Sequence, residues 1–369
     1  MAARYFAEKG KKVTIWERRN HIGGNMYDYI DEHGVLVHKY GPHVFHTNSV
    51  EAFTYVCRFS RWKNYLLTCG AIIDGKCTPT PFNFQTIDDY YTSEDAALLK
   101  ERILKEFGEQ KTVSVTEALS HPDKSIKSFA QFLFEKDYSP YTAKQWGISP
   151  SEIDPSVLKR VPLKFSYDEG YFDDTYQILP AVSYSEFFSK LLDHPNINVS
   201  LGVDALEHLS IASGGNEVLL NGVKTGIPIV YTGALDELIA HADGVLPYRS
   251  LRFEWIYKHI ESFQSMPVVA YPQAVEFTRI TEYKKLPLQN VRGTTYAVEY
   301  PLEYSFGLGH EPYYPVLTDE SCALYGLYKK RIEKIKNLYV CGRLGDFRYY
   351  NMDQALLRAL DLCKSVEFI

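Results

Sequence analysis

The sequence is poor in the features that mark membrane, secreted and nucleic-acid-binding proteins. No apolar run approaches the ~18 residues that a membrane span requires, and the first residues, MAARYFAEKG, lack the apolar core of a signal peptide. The six cysteines form no CxxC pair and show no metal-ligand spacing, which is typical of a reducing compartment. A formal net charge of −6 opposes binding to nucleic acid, since a phosphate backbone needs a concentrated basic face. We therefore expect a cytoplasmic protein without a membrane span or a nucleic-acid partner.

Motifs for a protein nucleophile are also absent, both GxSxG and a cysteine paired with histidine in a recognisable context. If the chain is an enzyme, a bound cofactor is then expected to carry the difficult chemical step. Tyrosine, in contrast, is abundant, with 29 copies beside 20 phenylalanines. An aromatic-rich core explains most of them, and a minority suits a wet pocket, because tyrosine offers both a ring and a hydroxyl group.

The pattern of helices and strands predicts an α/β protein with an inserted helical segment. A helix over residues 1–10 precedes a short strand that ends at Glu17, and a strand, glycine, loop and helix close the sequence after residue 337. This arrangement is typical of a doubly wound, Rossmann-like fold. Asp74-Gly75 between two strand-like runs predicts a hairpin turn. Helical periodicity covers residues 86–150, and the strand-like runs between residues 197 and 300 are enough for an antiparallel sheet.

Glu17 stands where a dinucleotide-binding fold places the acid that binds the adenosine ribose, although a glutamate at a strand end is weak evidence alone. That fold opens with a strand and a GxGxxG loop, whose backbone amides neutralise the pyrophosphate. The sequence contains the helix, the second strand and the acid, but neither the opening strand nor the glycine loop. We therefore expect the sequence to begin inside this fold and to bind the nucleotide more weakly.

Three histidines, His38, His43 and His46, lie within the segment HKYGPHVFHTN. Structural roles and a metal site both suit such a group, but no acid or cysteine stands nearby at ligand spacing, so we expect no metal. The segment PYTAKQWG places Tyr141 and Trp146 around a helix end. There they suit either stacking on a base or sugar or packing in the core.

Two arginines suit an anion. Arg160 opens a long segment without clear periodicity, and Arg279 lies within a strand-like run. Each alone is more often a solvated charge, but two that converge can bind a diphosphate. Two later segments, EPYYPV and CGRLGDFRYYNMDQ, bring further polar and aromatic side chains, the second of them where a cofactor ring would lie: Tyr313, Tyr314, Arg343, Tyr349, Tyr350 and Asn351.

Taken in order, these segments resemble the successive blocks of the UDP-galactopyranose mutase family. The blocks are ERRNHIGGN, HKYGPHVFHTN, PFNF, YTAKQWG, KRVPLKF, YRSLRFE, TRITEYK, EYPLEY, EPYYPV and CGRLGDFRYYNMDQ. Single blocks are weak evidence, whereas the ordered set is specific and runs from residue 1 to the final helix. The resemblance implies an isomerase that interconverts UDP-galactopyranose and UDP-galactofuranose with reduced FAD, through a flavin N5–sugar adduct.

The same resemblance implies how the chain is divided. A Rossmann-like FAD-binding domain comprises residues 1–60 and 337–369, with parts of 190–245. A helical domain covers residues 86–150, and an antiparallel, substrate-binding sheet covers 61–85 and 246–315. The loop 160–176 is expected to be a mobile lid. Family members are often dimers, so a homodimer is a further expectation, although nothing in the sequence shows an interface.

The resemblance also assigns roles by position. The catalytic candidates are Arg160, Arg279, Tyr349 and His46. The UDP-sugar is expected to contact Tyr141, Trp146, Arg160, Tyr171, Arg249, Arg279, Tyr313, Tyr349 and Asn351. The flavin is expected to contact Glu17, Arg18, Gly24, Asn25, His43, His46, Arg343, Asn351 and Met352.

The sequence departs from the family pattern beyond its missing glycine loop. Ile178, Val182 and Ser183 stand where glycines are usual and are expected to add bulk near the site. Asn351 replaces an aspartate usual in bacterial members, and Asp353 replaces a common histidine. Two alternatives therefore stay open: a truncated or diverged homologue without activity, and an FAD oxidoreductase of the amine-oxidase type. Against the second, an amine substrate would give the predicted diphosphate clamp nothing to bind.

Overall fold

The computed structural model describes residues 1–147, 161–212 and 214–366 of the chain. Its α-helices are α1 (Ala2–Glu8), α2 (Val50–Cys57), α3 (Phe84–Tyr90), α4 (Ser93–Phe107), α5 (Val115–Leu119), α6 (Lys124–Leu133), α7 (Ser139–Trp146), α8 (Tyr184–Leu192), α9 (Leu235–Leu238), α10 (Asp319–Ile332), α11 (Gly342–Gly345) and α12 (Met352–Ser365). A π-helical turn, Phe134–Tyr138, joins α6 to α7. Within the described ranges, no helix combines the length and the apolar character needed to cross a membrane.

The strands are short except for two. They are β1 (Val13–Glu17), β2 (Asp28–Ile30), β3 (Leu36–His38), β4 (Phe45–Thr47), β5 (Trp62–Asn64), β6 (Cys69–Ile73), β7 (Lys76–Thr80), β8 (Thr112–Val113), β9 (Leu163–Lys164), β10 (Tyr176–Pro180), β11 (Ile197–Leu201), β12 (Leu209–Ile211), β13 (Val218–Leu220), β14 (Val223–Lys224), β15 (Ile229–Tyr231), β16 (Tyr248–Lys258), β17 (Val268–Ala270), β18 (Arg279–Glu282), β19 (Thr294–Glu303), β20 (Tyr314–Pro315) and β21 (Leu338–Val340).

Two pairs of parallel strands form the Rossmann-like part, and the predicted α/β class is confirmed. β1 pairs with β11, starting from Val13 opposite Ile197, and β15 pairs with β21. Helix α1 packs on β1 and on α12. The prediction of antiparallel pairing was wrong for the runs that form β11 and β15. Each pairs with a strand far away in the sequence, and such long crossovers suit parallel pairing.

The largest sheet of the described residues has seven strands in the order β20-β16-β19-β18-β17-β6-β7. The long strands β16 and β19 pair antiparallel, with Arg249 opposite Glu303 at one end. β6 and β7 form a hairpin through the predicted turn at Asp74 and Gly75, both with positive φ. β17 runs parallel to β6, so the sheet is mixed rather than fully antiparallel as predicted. The two strands come from distant parts of the chain, so no short hairpin fixes their direction.

Helices α3 to α7 form the predicted helical segment beside this sheet. Side chains of Thr92 and Asp123 accept hydrogen bonds from the first-turn amides of α4 and α6 and so fix where these helices begin. The apolar faces share one core, in which Leu99 and Phe129 belong with Ile73 of β6. This core places α7 next to the central strands of the sheet.

Candidate active site

Strand pairing puts a buried ion pair on the sheet. Arg279 begins β18 and lies directly opposite Glu299 of β19. The Arg279 Nε and Nη2 atoms lie 2.8 Å and 2.7 Å from Glu299 Oε2. Burial acts to lower the pKa of Arg279, but the charge and hydrogen bond of Glu299, together with the nearby Tyr141 and Tyr349, outweigh it and hold the pKa above its ordinary value. Arg279 is therefore a fixed cation, and 28% of its side chain is exposed to receive an anion.

An aromatic cluster adjoins this cation. The ring of Trp146 lies 5.0 Å from that of Tyr314 and 6.2 Å from that of Tyr349, measured between centres. The hydroxyls of Tyr141 and Tyr349 lie close enough to Arg279 to contribute to its raised pKa. Burial raises the pKa of Tyr141 and Tyr314 above the ordinary value. Both hydroxyls therefore stay protonated near pH 7, and that of Tyr314 donates to the Gln145 carbonyl at 3.4 Å.

Arg343 connects two of the predicted segments. It lies in α11, directly after β21, and donates from Nη1 to the Tyr313 carbonyl at 3.0 Å and from Nη2 to the Tyr350 carbonyl at 2.6 Å. Its guanidinium also lies 4.7 Å from the centre of the Tyr349 ring. The positions of Tyr313 and Tyr349 thus depend on one side chain.

Arg249, predicted to contact the substrate, supports the end of α7. Its Nε donates to the Gln145 carbonyl at 3.0 Å. Gly147 follows the helix with φ of +67°, and a Cβ there would lie 2.5 Å from Arg249 Nη1. Glycine is therefore required both for the left-handed turn that ends the helix and for the close approach of the guanidinium.

His38 and His43 interact with protein groups. The His43 backbone N–H donates to His38 Nδ1 at 3.1 Å, and His43 Nδ1 lies 2.8 Å from the Gly41 carbonyl. A carbonyl only accepts, so His43 carries its proton on Nδ1. Burial lowers the pKa of His38 to about 3 and that of His43 to about 4, where Arg343 and Arg279 add to the effect. Both rings are neutral near pH 7.

This depression of pKa predicts a specific acid sensitivity. The unfolded chain protonates His38 near pH 6.5, whereas the folded chain does so only near pH 3, so stability is present above pH 6.5 and is lost as pH falls. Replacing His38 by Asn should remove this contribution. Between pH 6.5 and 5, the unfolding free energy of H38N should therefore fall less steeply than that of the wild type, by about 1.4 kcal/mol per pH unit. Urea unfolding at successive pH values measures this slope. The exposed His259→Asn is the control, and equal slopes for wild type and H38N would contradict the assignment.

His46 is held by the segment predicted to be a lid. Its Nδ1 lies 2.7 Å from Asp174 Oδ2, and its ring stacks on Phe172 with centres 3.6 Å apart. Asn48 Nδ2 donates to the other Asp174 oxygen at 2.9 Å. The Asp174 carboxylate therefore fixes the ring orientation and proton position of His46.

A buried lysine organises the same segment. Lys164 Nζ donates to the Gly170 carbonyl at 2.7 Å and lies 3.0 Å from Asp168 Oδ2 and 2.7 Å from Asp173 Oδ1. The backbone N–H of Tyr171 donates to the Leu67 carbonyl at 2.7 Å. Lys164 therefore ties the segment together, whereas Tyr171 and Asp174 link the described part of the loop, residues 161–176, to the body of the protein.

The predicted ribose end lies at the carboxyl end of β1. Glu17 Oε1 accepts from the Arg19 backbone N–H at 3.0 Å. Arg18 and Arg19 both pair with Glu311, at 2.9 Å and 2.7 Å. Asn25 Oδ1 accepts from Arg19 Nη2 at 2.9 Å, next to Gly24, whose φ is +56°. Glu311 is the first residue of the segment EPYYPV. It therefore joins this segment to the end of β1.

The structure brings together much of the predicted site. The residues linked around Arg279 and Arg343 by direct contact or electrostatic coupling are Tyr141, Trp146, Tyr313, Tyr314, Tyr349 and His43. Glu17, Arg18, Gly24 and Asn25 form a separate group, and Arg249 acts on α7. Met352 packs at the start of α12, where the Asn351 N–H donates to Gln354 Oε1 at 2.9 Å. Arg160 lies outside the described residues.

The expected bulk near the site is not found. Ile178 is 2% exposed and belongs to the core cluster that includes Phe45. Val182 is 58% exposed, and Ser183 caps α8 by accepting from the Glu186 N–H. Asp353 accepts a hydrogen bond from the Thr47 hydroxyl at 2.7 Å. These departures are therefore absorbed by packing and capping.

Three residues of the site were not predicted from the sequence: Glu299, Asp174 and Glu311. Each contacts a predicted residue that is distant from it in the sequence. For Glu299 a signal existed, because an arginine inside a strand needs an acid partner when buried, but the strand register was required to identify it.

Comparison with known proteins supplies the evidence for the family. The model of the UDP-galactopyranose mutase family matches residues 136–349, and that of an NAD(P)-binding Rossmann-like domain matches residues 1–59. A UDP-galactopyranose mutase of Mycoplasma pneumoniae is 34% identical over 361 residues, which cover 96% of this chain and 90% of that protein. The chain belongs to the UDP-galactopyranose mutase family. The family consists of FAD-dependent isomerases, which favours the mutase over the amine-oxidase alternative.

Two further similarities concern the fold and the nucleotide of the relatives. A dTDP-fucopyranose mutase of Escherichia coli is 32% identical over 362 residues, 97% of this chain and 93% of that protein. A crystal structure of reduced UDP-galactopyranose mutase superposes with a TM-score of 0.71 at 14% identity, over 98% of this chain and 92% of that one. The structural match supports the fold, and the sequence matches show that relatives with different nucleotides are about equally similar.

Proposed function

We propose that the chain is a UDP-galactopyranose mutase, which interconverts UDP-galactopyranose and UDP-galactofuranose. The observation that carries the proposal is the Arg279–Glu299 pair beside the tyrosine cluster. A diphosphate needs a fixed cation and several neutral donors, and this arrangement supplies both. The cytoplasm, where we place the protein, fits its six cysteines, none of which is in a disulfide.

The described residues have distinct tasks in this proposal. Arg279 binds the diphosphate, and the hydroxyls of Tyr313 and Tyr349 donate to its oxygens. Tyr141 stacks on the uracil, and Trp146 lies beside the sugar. The family resemblance alone assigns Arg160 to the diphosphate and a lid role to residues 160–176, and Lys164 ties together the described part of that segment.

The residues present fit FAD at two parts of the cofactor. Glu17, an acid at the carboxyl end of a strand in a parallel pair, suits the adenosine ribose. His43 and Arg343, near the carboxyl end of β21, suit the flavin ring, and Asp174 keeps His46 oriented there. Reduced FAD, when bound, supplies the electron pair that attacks the anomeric carbon of the sugar. We propose the division into FAD-binding, helical and sheet domains at the boundaries that the family resemblance implies.

A second candidate substrate is a dTDP-hexose. The relative named for dTDP-fucopyranose is as similar as those named for UDP-galactopyranose, so sequence similarity does not choose the nucleotide. Both substrates present the same diphosphate to Arg279. The base and the hexose are therefore the parts that the experiment must compare.

The test is a conversion assay with purified protein, FAD and dithionite. UDP-galactopyranose and dTDP-fucopyranose are offered separately, and the products are resolved by chromatography. We expect a furanose product from the UDP-sugar that depends on both FAD and the reductant. Turnover of the dTDP-sugar alone would show that the substrate is a dTDP-hexose. Absence of both products with FAD bound would indicate the inactive homologue.

A further inference from the structure

Lys144 makes an unusual set of contacts. From helix α7, its Nζ donates to four backbone carbonyls: Tyr271 at 2.8 Å, Pro272 at 3.2 Å, Ala274 at 2.6 Å and Phe277 at 2.7 Å. All four lie in the 271–277 loop, which connects β17 to β18. An ammonium group has three N–H donors, so the four carbonyls share them, and this loop takes up the whole hydrogen-bonding capacity of Lys144.

Only the ends of the loop have apolar packing, where Tyr271 and Phe277 lie against the cluster of Ile280, Tyr296 and Val298. Val275 at its tip is 91% exposed, and Gln273 is also exposed and donates to Asp74 Oδ1 at 2.8 Å. Two backbone hydrogen bonds, donated by Tyr271 and Ala274, close the loop from within. The hydrogen bonds from Lys144 link this loop directly to helix α7.

Both sides of this link lead to the site. Lys144 lies one helical turn after Tyr141, and the Phe277 carbonyl lies two residues before Arg279. The charge of Arg279 acts to lower the pKa of Tyr141, and Tyr141 acts to raise the pKa of Arg279, so the two residues are near neighbours. On the other side of α7, Arg249 holds the Gln145 carbonyl at 3.0 Å.

We propose that Lys144 is a positioning residue: its ammonium fixes helix α7 to the 271–277 loop and so sets the distance between Tyr141 and Arg279. The inference rests on the proposed function, because that distance matters for a ligand with both a base and a diphosphate. A point-like ammonium suits carbonyls that converge from several directions, whereas the planar guanidinium of arginine does not.

The experiment compares Lys144→Met with Lys127→Met. Lys127 is an exposed lysine in α6 of the same helical segment, so the control removes the same charge. UDP affinity is measured by calorimetry, and hydrogen exchange is measured in α7 and the loop. Because misplacement of a binding group by about 1 Å is costly, we expect K144M to weaken UDP binding at least about tenfold. Exchange in the loop should rise, and K127M should stay within about twofold of the wild type.

Kinetics separate positioning from general destabilisation. In the mutase assay, K144M should raise KM about tenfold with kcat nearly unchanged, and Lys144→Arg should give a smaller loss. UDP affinity in K144M within about twofold of the wild type would overturn the proposal. Failure of the wild type to bind UDP would count against the proposed function, and unchanged loop exchange in K144M would then overturn the role of Lys144. If K144M does not fold, Lys144→Gln, which keeps two donors, replaces it.

Discussion

Replacing Arg279 with methionine is expected to lower kcat/KM for the UDP-sugar by about 10- to 150-fold. This corresponds to the loss of about 1.5–3 kcal/mol, the usual contribution of hydrogen bonds to a charged group. Steady-state kinetics in the conversion assay measure the effect. Arg252→Met is the matched control, because Arg252 is an exposed arginine on the neighbouring part of the same sheet. Near-normal turnover in R279M would rule out the diphosphate role.

The same substitution should also destabilise the fold, because it leaves the carboxylate of Glu299 buried without its cation. Glu299 has a side-chain exposure of 2%, and we expect R279M to lower the unfolding free energy by about 2–3 kcal/mol, less than for a fully buried pair. The double variant Arg279→Met/Glu299→Gln removes the buried charge. It should recover at least about half of the lost stability in urea unfolding and none of the lost activity. Recovery of both would mean that Arg279 acts only through stability.

Replacing Arg343 with methionine is expected to have the second large effect. The substitution removes the donor from two carbonyls, those of Tyr313 and Tyr350, and the cation from above the Tyr349 ring. We expect a loss of about 3 kcal/mol of unfolding free energy, from two charged hydrogen bonds at about 1.5 kcal/mol each. We also expect weaker FAD binding, because Arg343 lies at the predicted flavin end of the site.

Arg348→Met is the control for this variant, since Arg348 is an exposed arginine five residues away with the same charge. Equilibrium dialysis against FAD and urea unfolding are compared for both proteins. If R343M binds FAD as tightly as R348M, the flavin-end assignment is wrong. If stability is also equal, Arg343 does not order the two tyrosine segments.

The elements that sequence patterns predicted well are those with strong local signals. The helix at the end of the chain, the Asp74-Gly75 hairpin and the strand after residue 337 all lie where periodicity and turn chemistry indicated. Strand direction was less well predicted, because β11, β15 and β17 pair with partners far away in the sequence. Local patterns contain no information about such partners.

The site residues divide in the same way, into those with a recognisable sequence motif and those brought in from distant parts of the chain. Arg279, Tyr141 and Tyr349 were predicted through family resemblance, and the structure puts them together. Glu299 and Asp174, which orient Arg279 and His46, were missed because strand register and loop packing bring them there. Arg249 supports α7, and its predicted contact with the substrate stays a prediction. Residues that touch a ligand leave recognisable motifs, whereas the residues that position them become visible only in three dimensions.

In the proposed function, a flavin and a UDP-sugar share one site in this chain. The most direct test is the visible absorption spectrum of the FAD-loaded, desalted protein during a titration with UDP. We expect a flavin band that survives desalting and shifts in a saturable way with UDP, and we expect the flavin band of R279M to shift only at much higher UDP concentration. A colourless protein, or a flavin band that UDP leaves unchanged, would contradict the proposed function.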